Sequence, residues 1–209
     1  MELILFLASA TRPVATSEIV GALWPDSRNG SAAVRMYVAR VRRRLGQLAI
    51  AFERGTYALG AGVFTDLIEL ERTLRRARRQ SALTTNLRVA LSACLDSVEP
   101  GQLPSAYVWE WFGPTRVRIE ELVHEAATLL ARDALDRGDF ELALNLASRM
   151  LVLDLCDETA RELRVLAYAA KGDRARAYRE VRVYRETLKR ELSIRPSGDL
   201  MALLHGPSG

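Results

Sequence analysis

"AVRMYVARVRRRLG", residues 33–46, sets five arginines (Arg35, Arg40, Arg42, Arg43, Arg44) within ten consecutive positions and includes no acid. Between them Val34, Val38, Val41 and Leu45 recur at spacings of four, three and four. At about 100° per residue those four share one face of a helix, and Arg35 and Arg42 share another. Ser31 is placed to cap this helix at its start and Gly46 at its end. A solvated surface helix would mix both signs of charge along its exposed side. This one is apolar on one side and purely basic on the other, which points to a core behind it and a polyanion in front.

The charge of the whole chain repeats the asymmetry. Residues 1–64 carry eight arginines and four acids, whereas residues 65–209 carry 22 basic groups and 22 acids. All of the net charge of +4 therefore lies in the first third. Excess positive charge confined to one segment implies a partner with phosphates.

Working outward from the basic helix, residues 1–10 read as a short apolar helix that Pro13 closes off. "ATSEIVGALWP" reads as a second, with Thr16 or Ser17 as its N-cap and Ile19, Val20, Leu23 and Trp24 on one face. "DSRNGS" is a loop by composition. After the basic helix, "AIAFERGTYAL" places β-prone Ile50, Phe52, Tyr57 and Leu59 around a turn at Arg54-Gly55, the pattern of a hairpin. "GAG" at 60–62 marks the joint between an N-terminal domain, 1–62, and a second domain, 63–209. Three helices and a small β-hairpin, with the third helix basic, is the plan of a winged helix-turn-helix. Its third helix can enter a major groove, where arginine forks read guanine and clamp phosphates.

The second domain reads as all-helical. Leu67, Leu70, Leu74 and Ala77 form one stripe, and Leu87, Leu91, Cys94, Leu95 and Val98 another. A Pro/Gly-bearing break, "VEPGQLPSAYVWEWFGPT", interrupts the pattern, and Trp109 and Trp111 within it are expected either in the core of the helical domain or on an exposed protein-contact surface. Helices follow near 115–137, 140–153, 157–171 and 174–191, with a short one after "RPSGDL". "RGDFELALNLA" at 137 and "KGDRARAYREV" at 171 stand 34 residues apart, aligning Gly138 with Gly172, Asp139 with Asp173 and Ala143 with Ala177. That spacing is the tetratricopeptide period. The expected fold class is thus mainly α: a winged helix-turn-helix followed by a tetratricopeptide-like helical domain.

In this order the parts resemble the antibiotic-regulatory (SARP-type) bacterial activators, which join an OmpR-like winged helix-turn-helix to a bacterial transcriptional activation domain. The resemblance rests on "SEIVGALWPD" for the second helix, "AAVRMYVARVRRRLG" for the recognition helix and "RGTYAL" for the wing. In the second domain it rests on "DLIELERTLRRA", the Trp109/Trp111 segment, the long stretch from "LDLCDETARELRVLAYAAKGD" to "YRETLKREL", and the closing "RPSGDLMALL". It implies a cytoplasmic regulator that binds double-stranded promoter DNA, contacts RNA polymerase holoenzyme, and acts with a second protomer or in tandem on DNA. By the same resemblance Arg35 and Arg40 stand where bases are read, Arg42 and Arg43 nearer the phosphate backbone, and Arg54 at the wing tip, with Ser31 and Tyr37 completing the DNA-binding set. Two departures stand out. The chain opens at a helix instead of the small sheet usual in the family, so its winged domain is either shortened or minimal. The wing also lacks a second glycine before its tyrosine.

Other chemistry finds little support. Cys94 and Cys156 form no CxxC pair, His124 and His205 lie far apart, and no G-x-S-x-G, HExxH or phosphate-binding GK[ST] occurs. No enzyme activity, metal or cofactor is expected. No apolar run reaches the length of a membrane span, and "MELILFLASA" lacks the basic start of a signal peptide. Arg72, Arg75, Arg76, Arg78 and Arg79 make a second basic run, read chiefly as a solvated face softened by Glu69 and Glu71. The competing reading of the whole is a tetratricopeptide-like protein-interaction adaptor with only accessory nucleic-acid contact.

Overall fold

The computed structural model describes residues 2–10, 12–98, 110–196 and 200. Trp109 and most of the Pro/Gly-bearing break lie outside the described residues, as do His205 and the closing segment apart from Leu200. The chain divides into two compact units, Met1–Arg72 with Gly101–Glu120, and Thr73–Pro100 with Glu121–Gly209.

The first unit begins with α1 (Glu2–Ser9), β1 (Val14–Ala15), α2 (Thr16–Leu23) and α3 (Gly30–Leu45). A 3-10 turn at Gln47–Ala49 then leads into β2 (Ile50–Glu53) and β3 (Thr56–Leu59). Leu3 and Leu7 of α1, Ile19 of α2, Val34 and Val38 of α3, and Val14, Ile50 and Tyr57 of the strands form one buried cluster. This is the expected winged helix-turn-helix, with one addition. The hairpin is the larger part of a three-stranded antiparallel sheet of order β1-β3-β2, in which Val14 pairs with Tyr57 and Ala15 with Thr56. Two residues are too few to display an alternating pattern, so β1 carries no periodic signal of its own. Arg54 (φ 50°) and Gly55 (φ 83°) both take positive φ, as a two-residue type I′ turn requires.

Helix boundaries differ from the expected caps. Ala15, not Thr16 or Ser17, precedes α2, and its amide donates to Oε1 of Glu18 at 3.2 Å. Helix α3 starts at Gly30 after Asn29, so Ser31 sits exposed in the first turn instead of capping it. Gly30 stands at a close approach: a Cβ there would be 2.3 Å from Cγ1 of Val20, so a larger residue would force the Val20 side chain to shift. Gly46, at φ 97°, closes the helix as expected, its amide donating to the Arg42 carbonyl at 2.9 Å.

The apolar stripe holds for Val34 and Val38, which are buried, and for half-buried Val41, but Leu45 is 59% exposed. Its helical phase is right; its position along the axis is not. Val41 is the last apolar residue of the stripe packed against the buried cluster, and Leu45, one turn further along α3, lies past it. Trp111 joins this first unit. Its ring meets Phe6 of α1 edge-on at 5.0 Å and Phe112 at 5.6 Å, a placement that neither sequence expectation anticipated.

Helix α4 (Asp66–Ala77) buries Leu70, Leu74 and Ala77, and α5 (Thr85–Ser97) buries Leu87, Leu91, Cys94 and Leu95. Helices α6 (Gly113–Asp136), α7 (Phe140–Leu153), α8 (Glu158–Ala170) and α9 (Arg174–Glu191) follow. Within the second unit the 34-residue repeat appears as duplicated geometry. Gly138 (φ 76°) ends α6 as Gly172 (φ 77°) ends α8. The amides of Asp139 and Asp173 donate back to Ala134 and Tyr168, and those of Gly138 and Gly172 to Leu135 and Ala169, the two bonds of a Schellman motif. Each aspartate then caps the next helix, accepting from Leu142 or Arg176. Ala143 and Ala177 are both fully buried, small enough for helices to pack closely. Helix α8 packs against α7 on one side and α9 on the other.

Candidate nucleic-acid interface

The basic side of α3 faces away from the buried cluster. Arg35, Arg40, Arg43 and Arg44 are exposed, and none forms an ion pair among the described residues. The second unit behaves differently. Arg78 grips Glu125 with both arms (2.6 and 2.5 Å), Arg88 and Arg137 share Asp133, and Arg161 and Arg164 share Glu180. Arginines that serve a helical surface in this protein are commonly matched with acids. Those on α3 are left for something else.

The α3 arginines are not equivalent. The Arg40 guanidinium lies over the ring of Tyr37, 5.3 Å from its centroid, and that ring leans on Trp24 at 5.1 Å. Trp24, at the end of α2, therefore supports the half-buried Tyr37 and through it Arg40. Such a platform limits the rotamers of a long side chain and so reduces the entropy lost when it makes a contact. Sequence reading placed Trp24 only in the core, because its neighbour across the turn is invisible in a helical wheel of α2 alone.

Arg42 turns the other way. It is half-buried, and its Nε and Nη2 donate to the Ile50 carbonyl at 3.1 and 2.7 Å. Its fork ties α3 to the first residue of β2, a structural use that sequence reading assigned to the DNA backbone. Ser31 is exposed at the N-terminal turn of α3. Arg54 occupies the hairpin tip with its side chain 91% exposed, and Glu53 stands 3.9 Å away between two solvated groups. Arg28, in the loop before α3, and Arg44 are two further exposed basic groups that the sequence analysis left out of the interface. Arg28 stands alone in a polar loop and carries no periodic signal.

The second basic run is mixed. Arg72 lies over the Phe64 ring and 3.8 Å from Glu69, Arg78 is committed to Glu125, and Arg75, Arg76 and Arg79 are exposed. His124 has a structural partner: its Nε2 is 2.8 Å from Oδ2 of Asp157, whose other oxygen caps α8 at the Ala160 amide. Among the described residues no cluster of three or more His, Cys, Asp or Glu side chains could hold a metal ion. No helix among them is long and apolar enough to cross a membrane.

Comparison with known proteins adds to this geometry. Residues 60–206 match the model of the bacterial transcriptional activator domain family. Among solved structures, Mycobacterium tuberculosis EmbR, determined in complex with low affinity phosphopeptide, superposes with a TM-score of 0.76 at 19% identity. The match covers 97% of this chain and 57% of that one, so the chain spans little more than half of EmbR's length and the likeness is one of fold. No curated protein matches the sequence.

Proposed function

Since the chain belongs to the bacterial transcriptional activator domain family, we propose that this transcriptional regulator binds promoter DNA through α3 and activates through its helical domain. Helix α3 lies in the major groove, with Arg35 and Arg40 at base edges and Arg43 and Arg44 on phosphates. Arg54 reaches the backbone or a neighbouring minor groove from the hairpin tip. Ser31 and Tyr37 border the same surface. The helical domain supplies the contact with RNA polymerase or with a second protomer, using packed helix pairs as a protein-binding surface.

The observation that carries this reading is the contrast in pairing: exposed α3 arginines without acids, in a chain whose other arginines commonly have them. Unpaired guanidinium groups on an exposed helix face gain most from a phosphate backbone, because each neutralised phosphate releases counterions. The test is binding to random duplex DNA across a salt series. Four phosphate contacts, at Arg28, Arg43, Arg44 and Arg54, give a log–log slope of about −3.6. A weak, salt-insensitive interaction would instead favour the adaptor reading. A footprint upstream of neighbouring genes then identifies the operator.

A further inference from the structure

Helix α9 carries charge that its own fold does not use. Ala177, Val181, Tyr184 and Leu188 face inward, clustering with Val165. On another side, Arg174, Tyr178, Arg182, Arg185 and Lys189 recur at steps of four, four, three and four, which aligns them in one stripe. All five are exposed. Arg174, Arg185 and Lys189 form no ion pair among the described residues, and Arg182 comes only within 3.9 Å of Glu186, both side chains being largely solvated. Arg185 has Arg182 and Lys189 one turn away on either side, neighbours that repel it. Elsewhere on the helix Arg176 is matched with Asp173 at 3.2 Å and Arg190 with Glu191 at 2.7 Å, whereas Arg179, like the stripe, forms no ion pair among the described residues.

The stripe also has relief. Its middle, Tyr178, Arg182 and Arg185, lines an open groove of about 500 Å³ together with Ala175 and Arg179, above the buried Val181. Tyr178 is 48% exposed there. A groove with apolar points between cations fits a segment that alternates carboxylates with apolar side chains. The charge around it argues the same way. Helix α9 holds seven basic residues and three acids, whereas residues 65–209 balance at 22 of each, so everything outside α9 in that part is net acidic. A long polyanion such as duplex DNA would feel that surrounding field. A short acidic segment feels only the stripe, within the screening distance of its own charges.

We propose that this face of α9 is a docking surface for an acidic amphipathic helix of a protein partner. Carboxylates one turn apart meet Arg182, Arg185 and Lys189, and an apolar side chain seats against Tyr178. The proposal rests on the reading of the helical domain as the protein-binding half, and it names where on that domain the partner lies and what its chemistry is.

The test uses the full chain and two fluorescein-labelled synthetic helices, one of glutamate and leucine and one of lysine and leucine, read by anisotropy beside a random-sequence duplex. Arg182→Glu combined with Arg185→Glu should weaken the glutamate helix by about tenfold and bring binding of the lysine helix in its place. Tyr178→Ala should weaken the glutamate helix without that reversal. Duplex affinity should stay within about twofold, because every exposed arginine of α3 and of the hairpin tip is retained. All three positions are exposed, and circular dichroism melts check that the fold is kept. Unchanged affinity for the glutamate helix in the double variant overturns the proposal. A parallel tenfold loss of duplex binding overturns it too, and makes the stripe a phosphate surface. Absence of duplex binding by the unaltered chain would sink the DNA reading alone, since the peptide arms still decide this one.

Discussion

Arg42, on the basic helix, donates two hydrogen bonds to the carbonyl of Ile50, where the first strand of the hairpin begins. The bonds, at 3.1 and 2.7 Å, join the end of α3 to the base of the hairpin. Ile50 is 1% exposed, so its carbonyl would lose much of its hydration without this partner. Bonds from a charged donor contribute about 1.5–3 kcal/mol. Arg42→Ala should therefore lower the stability of the winged domain by about that amount, whereas Arg43→Ala, fully on the surface, should stay within about 0.5 kcal/mol. Urea denaturation followed by tryptophan fluorescence measures both. Equal stability of the two variants would return Arg42 to the DNA-facing set.

On the proposed DNA surface, Arg40 and Arg43 should separate reading from clamping. Arg40→Ala should cost about 1–3 kcal/mol on the cognate site and relax preference at one base pair, with Arg43→Ala weakening all sequences alike and reducing the salt slope by about one. Tyr37→Ala removes the platform under Arg40 and should reproduce part of the Arg40→Ala loss on the cognate site, with little effect on random duplex. Competition binding against single-base operator variants reads all three. Sequence-independent losses throughout would remove the distinction.

These cases mark what a sequence can and cannot convey. The α3 stripe, the Arg54-Gly55 turn and the Gly-Asp pairs at 138 and 172 are local patterns, set by helical period, turn chemistry and cap chemistry within a few residues. They are legible, and the structure contains them. Leu45, β1, the Gly30–Val20 crossing and the Arg42–Ile50 bonds depend on where one element ends against another. The helical period sets Arg42 nearer the apolar stripe than Arg43, but the carbonyl that holds it lies beyond the helix, so its use as a tie to the hairpin is not written in α3. Trp111 is the extreme case: its aromatic partner in α1 stands more than a hundred residues earlier in the chain.

Acid should expose the network at Glu180. Its two oxygens accept from Arg161 at 3.0 Å and Arg164 at 2.6 Å, and Arg164 also donates to Ser148 Oγ at 2.5 Å. Burial alone would raise the Glu180 pKa, but the hydrogen bonds and charges of Arg164 and Arg161 together outweigh it and hold the carboxyl below the ordinary glutamate range. A depressed folded pKa means that the stabilisation is complete above the unfolded value and is lost as pH falls from there through the folded value. Glu180→Gln should cost about 3 kcal/mol at neutral pH, because two largely buried guanidinium groups lose their counter-charge. Its melting temperature should also fall less steeply than that of the unaltered protein between about pH 5 and pH 3. Parallel acid profiles for the two proteins would show that Glu180 does not carry this linkage.

The last expectation concerns Trp111 and what the winged domain needs in order to fold. Its ring stands edge-on to Phe6, 5.0 Å between centroids and 83° between planes, and edge-on to Phe112, which is fully buried. Edge-to-face aromatic pairs add about 0.5–1.5 kcal/mol each beyond the area they bury. Phe6 belongs to α1, whose eight residues are too short to be stable alone, so the helix depends on what packs around it. Trp111→Ala should therefore destabilise the first unit by about 2–3 kcal/mol, adding two lost ring contacts to the lost area. The loss should appear as faster hydrogen exchange at the amides of α1, with α7, α8 and α9 keeping their protection, and Trp111→Phe should restore much of it. A fragment of residues 1–62 lacks Trp111 and Phe112 altogether and should show the same weakening, binding duplex DNA less tightly than the full chain even though every α3 arginine is present. Unaltered exchange in α1 of the Trp111→Ala protein would mean that the ring contact adds nothing, and that α1 is held by Leu3 and Leu7 in the core alone.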